Sequence, residues 1–418
     1  MLQRVQGSLH AQIRAAVGES VSIRTQRGSL LDGEVIGFDQ DIAQIMAFST
    51  NANFQVNDLV IASGKCATVP TGGVLLGRVL NSKAHPIDGL GPINATEHRD
   101  VIYRPVRSTE RTLVNEVIPT GIRAIDGLLT IGRGQRVGIF AGSGVGKSTL
   151  LSELVKNSSA DVNVVALVGE RGREVRPFIE HALGEAGMRK SVLVVSTSDE
   201  SPLSRIRAAD SAVAIADSFR EKGSNVLLLL DSLTRYATAQ KELSLMLGEP
   251  PASRGFPASV FQRIAILLEQ LGNSGQGSIT GIVTVLVDGD DMNEPVSDSA
   301  RSILDGHIVL KRELAEQNHY PAIDIPGSVS RLFREICSEE HVKNAAVIRK
   351  TISLYREVED LIRIGAYKTG NVPATDRAIE SMTLINDFLR QQGAGSDFKS
   401  TLLELNRLAE FCEGVRSG

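Results

Sequence analysis

The chain contains no tryptophan, and aromatic residues make up only 4% of its 418 residues. Single-stranded nucleic acid is usually read by stacking bases on exposed rings, so this scarcity weighs against such a module. Three cysteines, Cys66, Cys337 and Cys412, are scattered along the sequence. They form neither a disulfide framework nor a zinc pattern, as expected of reduced thiols in a cytosolic chain. The histidines show no metal-ligand spacing. No apolar run is long enough for a bilayer, and the start Met1-Leu2-Gln3-Arg4-Val5 lacks the apolar core of a signal peptide. A dominant charge is missing as well: 45 basic and 49 acidic side chains leave a formal net charge of −4. That balance argues against broad binding along a phosphate backbone while leaving room for a local basic groove.

What remains is the mix of a folded protein, 42% hydrophobic and 22% charged. The length suggests about three domains. Up to about Asp88, short β-runs (Ser20–Arg24, Glu34–Phe38, Ala43–Phe48, Leu59–Ala62) alternate with turn residues such as Arg27-Gly28, Asp32-Gly33 and Ser63-Gly64. This spacing predicts a small β-barrel or sandwich over residues 1–88. The Gly- and Pro-rich stretch His85–Pro92 reads as linker, with residues 89–113 leading into a second domain over 89–345. There strand and helix alternate. Candidate buried strands are Arg136–Phe140, Asn163–Val168, Val192–Ser196, Val226–Leu230 and Ile279–Val287, with helices such as Thr149–Lys156 and Pro177–Gly187 between them. Such alternation predicts a mostly parallel sheet covered by helices on both faces. Residues 346–418 read as a helical domain: Leu354, Val358, Leu361 and Ile362, then Ala378, Met382, Ile385 and Leu389, recur at helical intervals.

The strongest local signal is Ala141-Gly142-Ser143-Gly144-Val145-Gly146-Lys147-Ser148. Glycines let a backbone curl so that several N–H groups face one anion, and the helix that opens there adds its dipole. Gly142, Ser143, Gly144, Val145, Gly146, Lys147, Ser148 and Thr149 are therefore candidate ATP-binding residues. Lys147 would reach the β and γ phosphates and the Ser148 hydroxyl would ligate Mg²⁺. The strict pattern begins with Gly where this chain has Ala141, and an incidental strand-to-helix turn is the bland alternative. The preceding apolar strand and the following Thr149-Leu150-Leu151 weaken that alternative. Five apolar residues, Val226 to Leu230, end in Asp231, the form of a strand whose carboxylate holds the Mg²⁺ shell. A general base belongs at another strand end, and Gly169-Glu170-Arg171-Gly172-Arg173-Glu174 offers two carboxylates. Spacing does not choose between Glu170 and Glu174.

Longer motifs narrow the field. Pro119-Thr120-Gly121-Ile122-Arg123-Ala124-Ile125-Asp126, the Glu170 segment and Asp231-Ser232-Leu233-Thr234-Arg235 closely resemble the flagellar and type III secretion ATPases. These are relatives of the rotary ATP synthase catalytic subunits. The likeness continues through Gly248-Glu249-Pro250-Pro251, Val287-Asp288-Gly289-Asp290-Asp291, His319-Tyr320-Pro321-Ala322-Ile323-Asp324 and Ser328-Val329-Ser330-Arg331. It implies a multidomain protein with an N-terminal small β-barrel, a central α/β RecA-like P-loop ATPase core and a C-terminal α-helical domain. By the same resemblance Glu170 polarises the attacking water, Arg171 lies near the γ-phosphate, Arg235 is an active-site arginine giving electrostatic support, and Tyr320 packs on the adenine. Arg331 matches an arginine that reaches across to the neighbouring subunit's nucleotide. Base and arginine occupy one chain here, which implies a homo-oligomer, a ring of six as in the family.

The resemblance further implies ATP hydrolysis with Mg²⁺ that assists protein export. Its partners would be a stator-type regulator, a coiled-coil stalk, export-gate membrane proteins and chaperone–substrate complexes at the inner face of the cell membrane. No nucleic-acid partner is expected: the first 88 residues hold Phe38, Phe48 and Phe54, and the first two sit in apolar strand contexts. The phosphate loop and the 287–291 segment look more like the flagellar branch than the injectisome branch. A rotary synthase subunit and an RNA motor with the same core are the remaining alternatives. Two departures stand out. Arg4-Val5-Gln6-Gly7-Ser8-Leu9 already resembles the barrel's first strand, so the amphipathic segment that often precedes it looks short and regulator or lipid binding is expected to be weak. Pro326-Gly327 introduces a turn just ahead of Arg331.

Overall fold

Alternation of buried and exposed residues in the N-terminal segment produces six strands: Leu2–Gln6, Ser8–Ala11, Glu19–Arg24, Leu30–Asp39, Ile42–Ala47 and Leu59–Cys66. The computed structural model describes residues 1–6, 8–50, 52–101, 106–287, 289, 291–370, 372–393 and 395–414. In spatial order the strands run first, second, fifth, fourth, third, sixth, each antiparallel to its neighbour. Val21, Ile23, Val35, Ala43 and Ile45 fill the space they enclose. The sheet's two edges approach each other, with Leu2 N donating to Asp58 O at 2.8 Å and Asn57 N to Leu2 O at 2.9 Å.

Three expectations for this region change. Arg4–Leu9 is not one strand but spans two, and residue 7 lies outside the described residues. Asp32-Gly33, expected as a turn, lies inside Leu30–Asp39, where Gly33 pairs with Val21 on one side and Ala47 on the other. Ladder bonds on both flanks outweigh the local turn preference. Phe38 is exposed at 42%, whereas Phe48 packs beside Ile36, Met46 and Leu203.

The central sheet follows from runs that are apolar on both faces. Its parallel strands lie in the order Gly306–Leu310, Arg136–Ala141, Ser278–Leu286, Asn225–Asp231, Val162–Glu170, Ser191–Thr197 and Val79–Leu80. Val329–Ser330 closes one side antiparallel to Gly306–Leu310. Every residue of Val162–Glu170 is buried, as expected of a strand covered above and below. Successive residues feed different cores. Val164, Ala166 and Val168 pack under the helices Pro202–Glu221, Leu233–Met246 and Ala258–Glu269. Val165 and Leu167 face the opposite side, with the helix Lys147–Asn157.

The chain enters this central core earlier than the expected limit at residue 88. Val69, Leu75, Leu80 and Ala84 belong to it, and Val79–Leu80 is a strand of its sheet. His85–Pro92, expected as linker, is an ordered turn: Asp88 accepts from Arg78 at 2.7 and 2.9 Å, from Val79 N at 3.0 Å and from Leu90 N at 2.9 Å. The expected helix Pro177–Gly187 is also redrawn. Helix starts at Gly172, just after an extended Arg171, runs to Pro177, passes through a π-helical turn Phe178–Leu183 and resumes over Gly184–Arg189. Proline lacks the N–H that an α-turn needs, which favours the wider turn there.

Three helices, Glu339–Arg363, Pro373–Leu389 and Phe398–Glu413, end the described chain. Ser338 and Asp397 cap the first and third by accepting from His341 N at 3.3 Å and Ser400 N at 3.1 Å. Ile348, Ile352, Ile385, Phe388 and Leu405 share one core with Ile125, Leu128 and Leu129 of the central region. The Leu354–Ile362 stripe runs beyond that core, and Leu361 is 45% exposed. Among the described residues no helix is long and apolar enough to cross a membrane.

Candidate active site

Parallel strands deliver their C-terminal residues to one edge, and that edge gathers most of the candidate residues. Arg136–Ala141 ends in the phosphate loop, Val162–Glu170 ends in Glu170 and Asn225–Asp231 ends in Asp231. The loop turns through Gly144 and Gly146, with φ of 80° and 91°. The helix Lys147–Asn157 then opens with no side-chain cap. Its first N–H groups are therefore available to an anion. The edges of the Tyr320 ring lie 3.2 and 3.3 Å from where a Cβ would project at Gly146. Glycine at 146 thus serves both the left-handed turn and the close approach of the ring.

Behind the loop is a buried charge cluster. Lys147 is ion-paired with Asp231, and its Nζ lies 3.7 Å from Glu170 Oε1. Glu170 Oε2 is 3.1 Å from Arg235 Nη1, and Arg235 also donates to the Gly169 carbonyl. Thr284 donates its hydroxyl to Asp231 Oδ1 at 2.7 Å. Glu170 Oε1 is buried without a hydrogen-bond partner. Burial pushes the Glu170 carboxyl up to about 7; the Asp231 carboxylate adds to the rise, and Lys147 and Arg235 oppose it. A cleft of about 790 Å³ opens beside these groups, lined by Ser148, Thr149, Glu170, Glu174 and Asp231. Glu174 lies at its rim, 3.6 Å from Arg171, whose side chain is 62% exposed and outside the buried cluster.

Arg331 lies at the other edge of the sheet. Its N–H donates to Asp305 O at 3.0 Å, and the Asp305 carboxylate binds Arg136, the first residue of the phosphate-loop strand. Five strand steps, about 17 Å at ~3.3 Å per residue, separate that point from the loop. The guanidinium of Arg331 donates to Arg301 O at 2.9 Å.

Comparison with known proteins accounts for this arrangement. Residues 121–330 match the nucleotide-binding domain of the ATP synthase alpha/beta family, and residues 337–407 match the C-terminal domain of the T3SS EscN ATPase. The flagellum-specific ATP synthase of Treponema pallidum (strain Nichols) is 47% identical over 94% of this chain and 89% of its own. The type 3 secretion system ATPase of Sinorhizobium fredii (strain NBRC 101917 / NGR234) is 45% identical over 97% and 91%. This chain is a flagellar and type III secretion ATPase family member. The assembled ATPase EscN of the enteropathogenic E. coli type III secretion system superposes with a TM-score of 0.93 at 41% identity, covering 98% of this chain and 99% of that one. EscN in complex with its central stalk EscO gives 0.90 at 40% identity over the same shares.

The secretion ATPase is thus an ATP hydrolase with an ATP synthase alpha/beta-like P-loop core, an N-terminal sheet region and a C-terminal helical part. Its donor set fits the expected cation. Ser148 and Asp231 offer a hydroxyl and a carboxylate to a hard ion, and Glu170 Oε1 is an acceptor left without a partner. Sequence reading missed Thr284, which orients Asp231. The available signal was a hydroxyl in the apolar run Ile279–Val287. Asp288 and Asp290, which lent the flagellar resemblance, lie outside the described residues.

Proposed function

We propose that this ATPase works as a homohexameric ring that assists protein export through a flagellar type III secretion apparatus, each site being completed by the neighbouring copy. The observation that carries this is the separation of Arg331 from its own phosphate loop by the length of a strand. An arginine at the opposite edge of the sheet serves a site only in another copy. In this reading Gly142, Ser143, Gly144, Val145, Gly146, Lys147 and Thr149 hold the phosphates of ATP, and Tyr320, already against Gly146, stacks on the adenine. Ser148 and Asp231 would hold Mg²⁺, which when bound screens phosphate charge and polarises the γ-phosphoryl group. Lys147 exchanges its ion pair with Asp231 for the phosphates. Glu170 accepts the proton of the attacking water, with Arg235 fixing its carboxylate and Arg171 reaching the γ-phosphate from the rim.

The near-closure of the N-terminal sheet between Leu2 and Asp58 supports a barrel, which we take to end at Cys66, with the central domain beginning at Thr68 and the helical domain near Glu339. A central stalk, as in the EscN–EscO complex, a stator-type regulator, chaperone–substrate complexes and an export gate at the inner face of the membrane are the partners this role requires. The reading is tested by mixing. Arg331→Ala and Lys147→Ala chains are each expected to lose turnover, by about 10³-fold or more for the arginine. Combined, they should recover part of it, because some interfaces join an intact loop to an intact arginine. No recovery at any ratio would refute completion in trans.

A further inference from the structure

Arg331 is an exposed side chain with one hydrogen bond, to Arg301 O, so its placement depends on the backbone that carries it. That backbone is strapped down by the helix Glu339–Arg363. Arg349, on this helix, donates to Ile325 O at 3.2 Å, Ser328 O at 3.4 Å and Leu128 O at 2.7 Å. Arg349 is half-buried, and among the described residues its guanidinium makes these carbonyl bonds and no ion pair. Seven residues on, and so on the same face of the helix, Arg356 binds the Asp324 carboxylate at 2.6 Å, and Lys311 binds it at 2.9 Å from the other side. Gly327 closes against the same carboxylate: a Cβ there would meet Asp324 Oδ2 at 2.5 Å. The turn-forming Pro326-Gly327 pair is thereby part of the strap.

Even half-buried, a guanidinium facing only carbonyls is costly to desolvate, and an apolar side chain of similar length would fill the space at less cost. What the apolar side chain lacks is the power to hold three peptide groups in one geometry. Two of those carbonyls lie three and six residues before Arg331. The third, Leu128 O, belongs to the helix Arg123–Leu128 of the central domain, so the strap is tied to the core and not only to itself. We propose that Arg349 is a positioning residue for the arginine supplied to the neighbouring copy: its bonds to Ile325, Ser328 and Leu128 fix the segment that ends in Arg331. The proposal rests on Arg331 acting in trans. The same segment begins at Tyr320, which touches the phosphate loop of its own chain, so the strap also joins one copy's nucleotide pocket to the arginine serving the next.

The test uses full-length Arg349→Met and Arg349→Lys chains, alone and mixed, with ATP hydrolysis at saturating ATP and thermal melting as readouts. A displacement of about 1 Å in a catalytic group can cost on the order of 10²-fold in rate. Arg349→Met alone is expected to lose turnover by at least about tenfold with nucleotide affinity unchanged, and Arg349→Lys, which keeps one strong donor, to regain part of the loss. Mixing Arg349→Met with Lys147→Ala should restore activity, since the second chain lends a well-held Arg331 to the first chain's intact loop. Mixing Arg349→Met with Arg331→Ala should not restore it, because neither chain then offers a placed arginine. Restoration in that second mixture would overturn the proposal by showing that Arg349 serves its own chain's site. Failure of the Lys147→Ala mixture would overturn it too, by showing a purely structural role. The control pair Arg331→Ala with Lys147→Ala separates the two levels: if it fails, action in trans is refuted, and if it succeeds, any failure belongs to Arg349.

Discussion

A single carboxyl group sets the pH behaviour expected of this ATPase. Glu170 is pushed up to about 7 by burial and by Asp231, and a base must be ionised to accept a proton. The pH profile of kcat/KM should therefore rise through about 7 and level off above it. Glu170→Gln should bind nucleotide, turn over hardly at all and lose that rising limb. Substantial turnover in this variant would point to Glu174 as the base. The same shift has a stability consequence of opposite sign. The folded chain keeps this proton to a higher pH than the unfolded chain, so the contribution is full below the ordinary glutamate range and is lost as pH rises to about 7. The melting temperature of Glu170→Gln relative to the parent should accordingly increase between about pH 5 and about pH 8. Thr284 acts one bond further out. Thr284→Val removes the donor that orients Asp231 and should raise the Mg²⁺ concentration needed for half-maximal turnover by about tenfold, read by a metal titration.

Elements of the fold are held by bonds that local pattern does not reveal. Asp126 is fully buried and accepts from Thr120 N at 2.9 Å, Thr120 Oγ1 at 2.7 Å and Gly121 N at 2.9 Å. Asp126→Ala leaves three buried donors unpaired and should cost about 3 kcal/mol in urea melts, with Asp126→Asn costing less because it keeps an acceptor. The motif running from Pro119 to Asp126 was legible as a family mark, yet its physical purpose appears only when both ends are seen to meet. The buried strands were legible to within a residue or two, because a run such as Val226–Leu230 has few other ways to be covered. His85–Pro92 and Asp32-Gly33 were misjudged for the converse reason: turn-prone residues describe local freedom, and here long-range partners at Arg78, Val21 and Ala47 remove it. Spacing alone left Glu170 and Glu174 equivalent; the resemblance favours Glu170, and burial distinguishes the two physically.

For the molecule as a whole, position decided what sequence could only suggest. The phosphate-loop segment and the proposed base Glu170 lie at strand ends that were readable in sequence, whereas the location of Arg331 depends on an antiparallel pairing with Gly306–Leu310 that no local signal announces. If a site is shared between copies, the specific ATPase rate should climb steeply as protein concentration is raised through the assembly range; a flat rate would mean that a lone chain suffices. In the proposed arrangement, loop and arginine at opposite edges give each copy a socket and a plug. An open string of n copies then has n − 1 filled sockets, with one plug idle at one end and one socket empty at the other. Closing the circle adds a working site without adding a subunit, so the final join contributes a gain in output that no earlier step provides.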